Sequence, residues 1–410
     1  MIIGKWHCLT RLVLALLAIL AGTYASPALA VDSPITRASD WFRYDASVEE
    51  DWNFTVSDAD PLRVTIRNRE VFPGTPTFRV LVLYPRRSSA YDTAISKILD
   101  VIDDKKMNVE FTILNFRTDD VRGRQALEFA EQSKVDLIFS MGSETTAWLH
   151  TNYRGGTIPV VSVCSKDPVL LDQMKNYESG SGTNFAYTSL NMPIDAQMAY
   201  VLDFKPNLRN FGILVSNDNV SAVETQARPI AEFAKQRGLQ VLYLSVTRPE
   251  TAKAELAELV KSAVATMRKS DPTLSNSLFW ITGSTVVFNE IATINKHSDR
   301  VPVLSVVPEV VQAGDDSALL SIGISFESNA HLAAIYAAGI LDGTKRVGEL
   351  PVGIVSPPDI TINFRKAREI GLSVPFNFLE RASVVFDYDG QIVRKNGEAR
   401  PPAGPAPALK

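Results

Sequence analysis

The residues best equipped for chemistry in this chain stand just beyond short apolar runs. The run Val135–Ser140 passes into Met141-Gly142-Ser143-Glu144-Thr145-Thr146, which reads as the start of a helix. Gly142 lets the backbone approach a ligand closely. The N–H groups and hydroxyls of Ser143 and Thr145 would then face that ligand, and the positive end of the helix favours an anion there. The same residues also suit plain helix capping, and the sequence leaves both readings open. Glu144 beside them could pair with an ammonium group, so one corner offers seats for both ends of a zwitterion. Arg86 brings a planar fork that suits a carboxylate, and Tyr84 and Phe326 could stack on an apolar or aromatic body. Ser165, Asn217, Ser284 and Glu309 follow other apolar runs in the same way.

Bond-breaking machinery is harder to find. No G-x-S-x-G elbow occurs, which removes the anchor of a serine hydrolase. Gly343-Thr-Lys-Arg-Val-Gly348 has phosphate-loop spacing, but Glu349 stands where Lys is required. Gly180-Ser-Gly182 opens a dinucleotide pattern, but Phe185 replaces the third glycine and no strand precedes it. No H-E-x-x-H is present, and His150, His297 and His331 are scattered without zinc spacing. The sequence therefore offers no catalytic residues, no metal ligands and no cofactor motif. The chain carries 42 basic and 46 acidic residues, a net charge of −4. That balance argues against nucleic acid as a partner, which needs clustered excess Lys and Arg.

Those strand-end residues must be held by a repeating scaffold. From about Phe78 the chain alternates short apolar runs with amphipathic stretches, the pattern of an α/β fold with parallel sheets. Strands are expected at 78–84, 108–114, 135–140, 158–163 and 182–187, with helices at 91–105, 123–133 and 145–153 between them. A second block repeats the arrangement. It begins with a helix at 192–204, and its strands fall at 210–216, 240–246, 277–282, 301–306 and 318–325. Helices at 222–238 and 249–269 separate the first of these, and Gly238 is the stop of its helix. Two successive blocks mean two similar lobes, and polar strand ends from both would line one cleft, where small-molecule sites are often found.

The ends read differently. Residues 1–30 have a basic start at Lys5 and Arg11, an apolar stretch Leu12–Ala21 and the small-residue site Ala28-Leu29-Ala30. This is the pattern of a signal peptide cleaved after Ala30, and the apolar stretch is short for a bilayer of ~30 Å hydrocarbon. Thr23 stands where a lipidated cysteine would have to be, so a periplasmic protein without lipid is expected. Cleavage removes Cys8 and leaves Cys164 alone, which forbids an intramolecular disulfide. Cys164 closes the apolar run from Ile158 and reads as a buried strand residue. Residues 31–77 show no sustained period and read as an N-terminal strap laid over a lobe. Residues 386–410, rich in proline at their end, read as a disordered tail.

Several ordered landmarks run through residues 78–385. They include Val135-Asp-Leu-Ile, Ile158-Pro-Val-Val, Asp167-Pro168-Val169 and Gly180-Ser-Gly-Thr-Asn184. Phe204-Lys-Pro-Asn precedes Phe211-Gly-Ile-Leu, and Val301-Pro302-Val303 leads to Glu309 and Ala313-Gly314. The last set is Gly339-Ile-Leu-Asp-Gly343, Leu350-Pro351-Val352, Ile360-Thr-Ile-Asn363, Gly371-Leu372 and Val374-Pro375. In these the chain resembles the periplasmic substrate-binding proteins of ABC transporters, in the group that includes aromatic amino-acid binders. It departs from them at Glu144, where a small residue is usual, and at Lys166, where the loop tip is usually less charged.

The resemblance implies a type I periplasmic-binding fold, α/β, with two lobes joined by three crossovers. Each lobe would be a mainly parallel sheet with helices on both faces. Lobe one would comprise residues 78–190 plus 326–350, and lobe two residues 191–325 plus 351–385. It also implies the function: capture of a small polar ligand, an amino acid or related metabolite, by hinge closure, for delivery to an ABC permease in the inner membrane. Two other readings stay open. The closed form could instead signal to a receptor kinase, or an exported enzyme could use the same cleft.

Overall fold

The computed structural model describes residues 35–400. The signal peptide expected at residues 1–30 and the proline-rich end of the tail therefore lie outside the described residues. Among those described, no helix is long and apolar enough to cross a membrane.

Two large sheets organise the chain. The first has seven strands, in the order Trp52–Val56, Arg63–Asn68, Asn108–Asn115, Thr77–Tyr84, Leu137–Met141, Val160–Val163 and Phe185–Ala186. The last five pair parallel, and Arg63–Asn68 pairs antiparallel with both of its neighbours. The second has nine strands. Its parallel part is Gln240–Val246, Asn210–Ser216, Ser277–Ile281, Val303–Ser305 and Leu320–Gly323. Asp359–Asn363 then joins antiparallel, Val384–Phe386 parallel to it, and Ile392–Lys395 and Glu398–Ala399 close the edge.

The central strands form where the sequence is continuously apolar. Every residue of Asn210–Ser216 and of Ser277–Ile281 is buried, as a parallel sheet covered on both faces requires. The helices that cover them follow a 3.6-residue period. Ala252–Ser270 buries Leu256, Val260, Ala263, Val264 and Met267. Side chains mark several starts: Ser88 accepts from Ala90 N at 3.3 Å and Asp119 from Arg122 N at 2.8 Å. Gly371 ends Phe364–Ile370 with φ of 68°, a left-handed cap that glycine adopts without penalty.

The chain passes between the sheets three times. It leaves the first sheet after Phe185–Ala186, and Thr188–Ser189 pairs with Gly353–Ile354 in a small parallel ribbon beside the crossing. After Leu320–Gly323 it returns as the helix Phe326–Leu341, which packs on helix Ser89–Asp104 and on strand Val160–Val163. It crosses once more to supply Asp359–Asn363 to the second sheet. This is the α/β two-lobed architecture that the sequence resemblance implied.

Three expectations need correction. The segment 31–77 is not an irregular strap. Trp52–Val56 and Arg63–Asn68 are antiparallel strands that widen the first sheet, with Trp52, Val64 and Ile66 buried. The two-residue period is real but short, and Arg63, Thr65 and Arg67 on the other face mask it. Ahead of these strands, Ile35–Arg37 and Arg43–Asp45 pair as a ribbon that lies against helix Ser89–Asp104, where Asp45 N donates to Ser96 Oγ at 2.8 Å. The tail is ordered as far as Ala399, because Ile392–Lys395 finds a partner in Val384–Phe386. Finally, the helix expected at 222–238 begins at Val220 and contains a π-helical stretch, Val223–Ala227. The wider turn lets Thr225, Gln226 and Ala227 all be buried in succession.

Candidate functional site

The carboxyl ends of the parallel strands carry an unusual concentration of buried polar atoms. Thr145 Oγ1, Ser165 Oγ, Asn191 Oδ1, Ser216 Oγ, Glu309 Oε2 and Asn329 Nδ2 are all buried without a hydrogen-bond partner. Buried polar groups normally find partners. Six such atoms at corresponding strand ends and crossings of two sheets mark the place where a ligand would be held.

In the first sheet the helix start sets the geometry. Strand Leu137–Met141 runs directly into helix Gly142–Tyr153, and no side chain caps that helix. Gly142 has φ of 78°, and a Cβ built on it would fall 2.0 Å from Tyr91 Oη. The Tyr91 hydroxyl therefore lies over the first turn, where only glycine fits. Thr145 points its free hydroxyl inward, whereas Ser143 Oγ is occupied by accepting from Lys166 N at 2.9 Å. Uncapped first-turn N–H groups and the helix dipole suit an anion.

The next strand end supplies Cys164, Ser165 and Lys166. Cys164 lies just beyond Val163, buried, with φ of 53°, outside the strand to which the sequence assigned it. Its N–H donates at 2.7 Å to Asn329 Oδ1, which ties this loop to helix Phe326–Leu341. Burial pushes the Cys164 thiol up, with the carboxylate of Glu309 adding to the shift, so the thiol is protonated and inert.

Lobe two contributes Glu309 from the short turn Pro308–Val310. Its Oε1 accepts from Phe326 N at 2.7 Å, and Oε2 stays free. Burial pushes this carboxyl up to about 7, against the lowering effect of the Phe326 hydrogen bond and with a further upward push from Asp359 and Glu327. The strand ends Ser216 and Thr282 lie beside it in the sheet order, with Ser284 Oγ accepting from Ser216 N at 3.3 Å. From the π-helical stretch, Gln226 Oε1 accepts from Gly283 N at 2.7 Å, and Asn191 Nδ2 donates to Thr225 O at 2.9 Å.

Residues singled out in the sequence are distributed unevenly. Gly142, Thr145, Ser165 and Glu309 belong to the buried polar set, with Ser143 and Ser284 supporting it through their hydrogen bonds. Phe326 is half-buried at the start of its helix, above Glu309. Tyr84 is fully buried and packs edge-on to Trp41 at 5.8 Å and Tyr91 at 5.4 Å, a wall behind the site rather than its lining. Arg86 and Glu144 pair with each other at 2.8 Å and are both substantially exposed, which puts them on the rim. Asn217 accepts from Ser245 Oγ at 2.5 Å and lines a separate groove of about 370 Å³ with Arg228 and Tyr243. A larger groove of about 530 Å³, lined by Arg63, Arg79 and Lys134, lies at the amino ends of the first sheet's strands, away from the polar set.

Tyr91, Asn191, Gln226 and Asn329 were not among the residues the sequence nominated, and Lys166 was noted only as a charged loop tip. Lys166 and Asn191 follow strands and were within reach of the strand-end rule. Tyr91, Gln226 and Asn329 sit inside helices, where nothing in the sequence separates an inward polar residue from a core one. Among the described residues no group of three or more His, Cys, Asp or Glu is placed to hold a metal ion.

Comparison with known proteins agrees with this picture. A conserved domain protein from Vibrio cholerae superposes with a TM-score of 0.59 at 19% identity, over 76% of this chain and 100% of its own. The ABC domain from Streptococcus pneumonia in complex with L-Trp gives 0.57 at 17% identity, over 75% and 99%. The ligand-free, open structure of a substrate-binding protein with adhesive properties from Clostridium difficile gives 0.56 at 19% identity, over 73% and 96%. At these identities the likeness is one of fold. No curated protein matches the sequence. The family model for ABC transporter substrate binding protein matches residues 87–386, and the chain belongs to that family.

Proposed function

We propose that this protein captures an amphoteric small molecule, an amino acid or a close relative, between its lobes and delivers it to an ABC permease. Proteins of its family bind solutes for such permeases outside the cytoplasm and are not enzymes. The observation that carries the ligand class is the pairing of two unlike seats: the uncapped helix start with free Thr145 Oγ1, and the buried, half-satisfied carboxylate of Glu309. The first suits a carboxylate and the second an ammonium group. Glu309 thus takes the part that the sequence offered to Glu144, whose charge is already met by Arg86 at the rim. That the pneumococcal neighbour was solved with L-Trp is consistent with an amino-acid ligand.

Hinge closure follows from the same arrangement. A ligand touching both seats binds the closed state more tightly than the open one, and only such differential affinity can shift the equilibrium. The permease would then select the closed form.

Mass spectrometry of small molecules released on denaturing the purified protein tests this directly. An amino acid or similar amphoteric metabolite is expected, and a thermal-shift screen of amino acids, carboxylates and sugars should reproduce it. A released neutral sugar would overturn the reading.

A further inference from the structure

Lys166 is the least explained charge in the molecule. Its side chain is 7% exposed, yet it enters no ion pair among the described residues. The only ionisable neighbour that acts on it is the Cys164 thiol, which is itself neutral. An unpaired buried ammonium group is costly, because the interior does not replace the water it gives up. Burial accordingly lowers the Lys166 amine to about 8 without abolishing its charge at neutral pH.

Its position shows what it faces. The side chain reaches from lobe one to the tips of lobe two, so that a Cβ built on Gly283 would fall 2.0 Å from Nζ. Glycine at 283 leaves room for the ammonium group where it stands. Beside it, Ser216 Oγ is buried and unpartnered, held next to Ser284 through the Ser216 N to Ser284 Oγ bond. Two donors, one of them charged, thus stand at Gly283 and at the strand end bonded to its neighbour Ser284, and neither has a charged acceptor among the described residues.

We propose that Lys166 takes an acidic group of the ligand, distinct from the one seated at Gly142–Thr145, with Ser216 Oγ as the second donor. The inference rests on the amphoteric reading above and narrows it: the ligand carries an extra carboxylate, phosphate or sulfonate. Lys166 is then a specificity residue, and because its partner group also touches lobe two, the same contact holds the lobes together.

Calorimetric titration of the full chain tests this with matched probes: L-glutamate against L-glutamine, L-aspartate against L-asparagine, and L-phosphoserine against L-serine. In at least one pair the acid should bind about tenfold or more tightly than its neutral partner, as a desolvated charge pair implies. In Lys166→Met that preference should fall to about twofold or less. Ser216→Ala should reduce it to an intermediate degree, and it serves as the second variant if Lys166→Met does not fold. Equal affinity within every pair, or an undiminished preference in both variants, overturns the inference. Neutral members binding while the acids do not overturns it and leaves the amphoteric reading intact. Binding of none of these probes also overturns it, and the released-ligand mass then decides separately whether the amphoteric reading stands.

Discussion

Glu309 and Lys166 make the unliganded protein sensitive to pH in a distinctive way. Glu309 titrates at about 7 in the fold, above its ordinary value of 4.5. The folded state keeps that proton where the unfolded chain has lost it, so stability falls as pH rises from about 4.5 to about 7. Lys166 titrates at about 8, below its ordinary 10.5. There the folded state has released a proton that the unfolded chain still holds, so stability rises above about pH 8, until the Cys164 thiol, held protonated in the fold above its ordinary 9.0, opposes the rise beyond pH 9. Stability should therefore pass through a minimum between pH 7 and 8, the acid limb amounting to a few kcal/mol and the alkaline limb to about 1.4 kcal/mol, at about 1.4 kcal/mol per unit. Asp92, raised to about 6 by burial, adds to the acid limb below that pH, and His150, His297 and His331, all lowered by burial, oppose it below about 6.5, so the portion just under pH 7 belongs to Glu309. Urea midpoints measured across this range should show the dip. Glu309→Gln should flatten its acid side and Lys166→Met its alkaline side.

At the level of elements, the junction of strand Leu137–Met141 with its helix is the most constrained. Gly142→Ala meets two obstacles, a positive φ and the Tyr91 hydroxyl. The backbone part alone costs about 1 kcal/mol or more, and the displaced tyrosine should also disturb the ligand seat. Adding Tyr91→Phe removes the nearest clashing atom, so the double variant should recover part of the lost stability in a thermal melt. The strands formed from 52–68 lead to a different expectation. Ile66→Ala removes a fully buried side chain from a sheet edge and should cost about 2–5 kcal/mol in denaturant unfolding, as a core position does. The central strands were legible because parallel sheets demand unbroken apolar runs, and Phe78–Tyr84 and Asn210–Ser216 are such runs. The two strands added beside Asn108–Asn115 were not, since Arg63–Asn68 buries only one face and reads as polar. Nor was the π-helical stretch, because nothing local in Val223–Ala227 announces a wider turn. Of the site, Gly142, Thr145, Ser165 and Glu309 could be named from their places after strands. Lys166 stood in one of the same loops, but that its amine is buried against Gly283 is decided by the other lobe, more than a hundred residues away.

On the scale of the whole molecule, the two lobes are joined at their crossings by hydrogen bonds. Asn329 holds Cys164 N while its helix packs on lobe one, and Phe326 N at the head of that helix holds Glu309 of lobe two. The proposed closure would therefore act on elements already tied to both sheets. A ligand that binds only the folded protein should stabilise it by about 2.7 kcal/mol at 100 times its dissociation constant. Small-angle scattering should show a smaller radius of gyration with ligand than without. An unchanged profile at saturation would leave capture without closure.

The aromatic wall behind the site gives the protein an internal optical gauge. Trp41, from the amino-terminal ribbon, meets Tyr84 edge-on at 5.8 Å, and Tyr84 meets Tyr91 at 5.4 Å. Tyr91 in turn rests its hydroxyl on Gly142, at the anion seat. A molecule settling there presses on the first ring of a three-ring stack whose last member is an indole. Its arrival should be readable in the emission of Trp41, with no label attached.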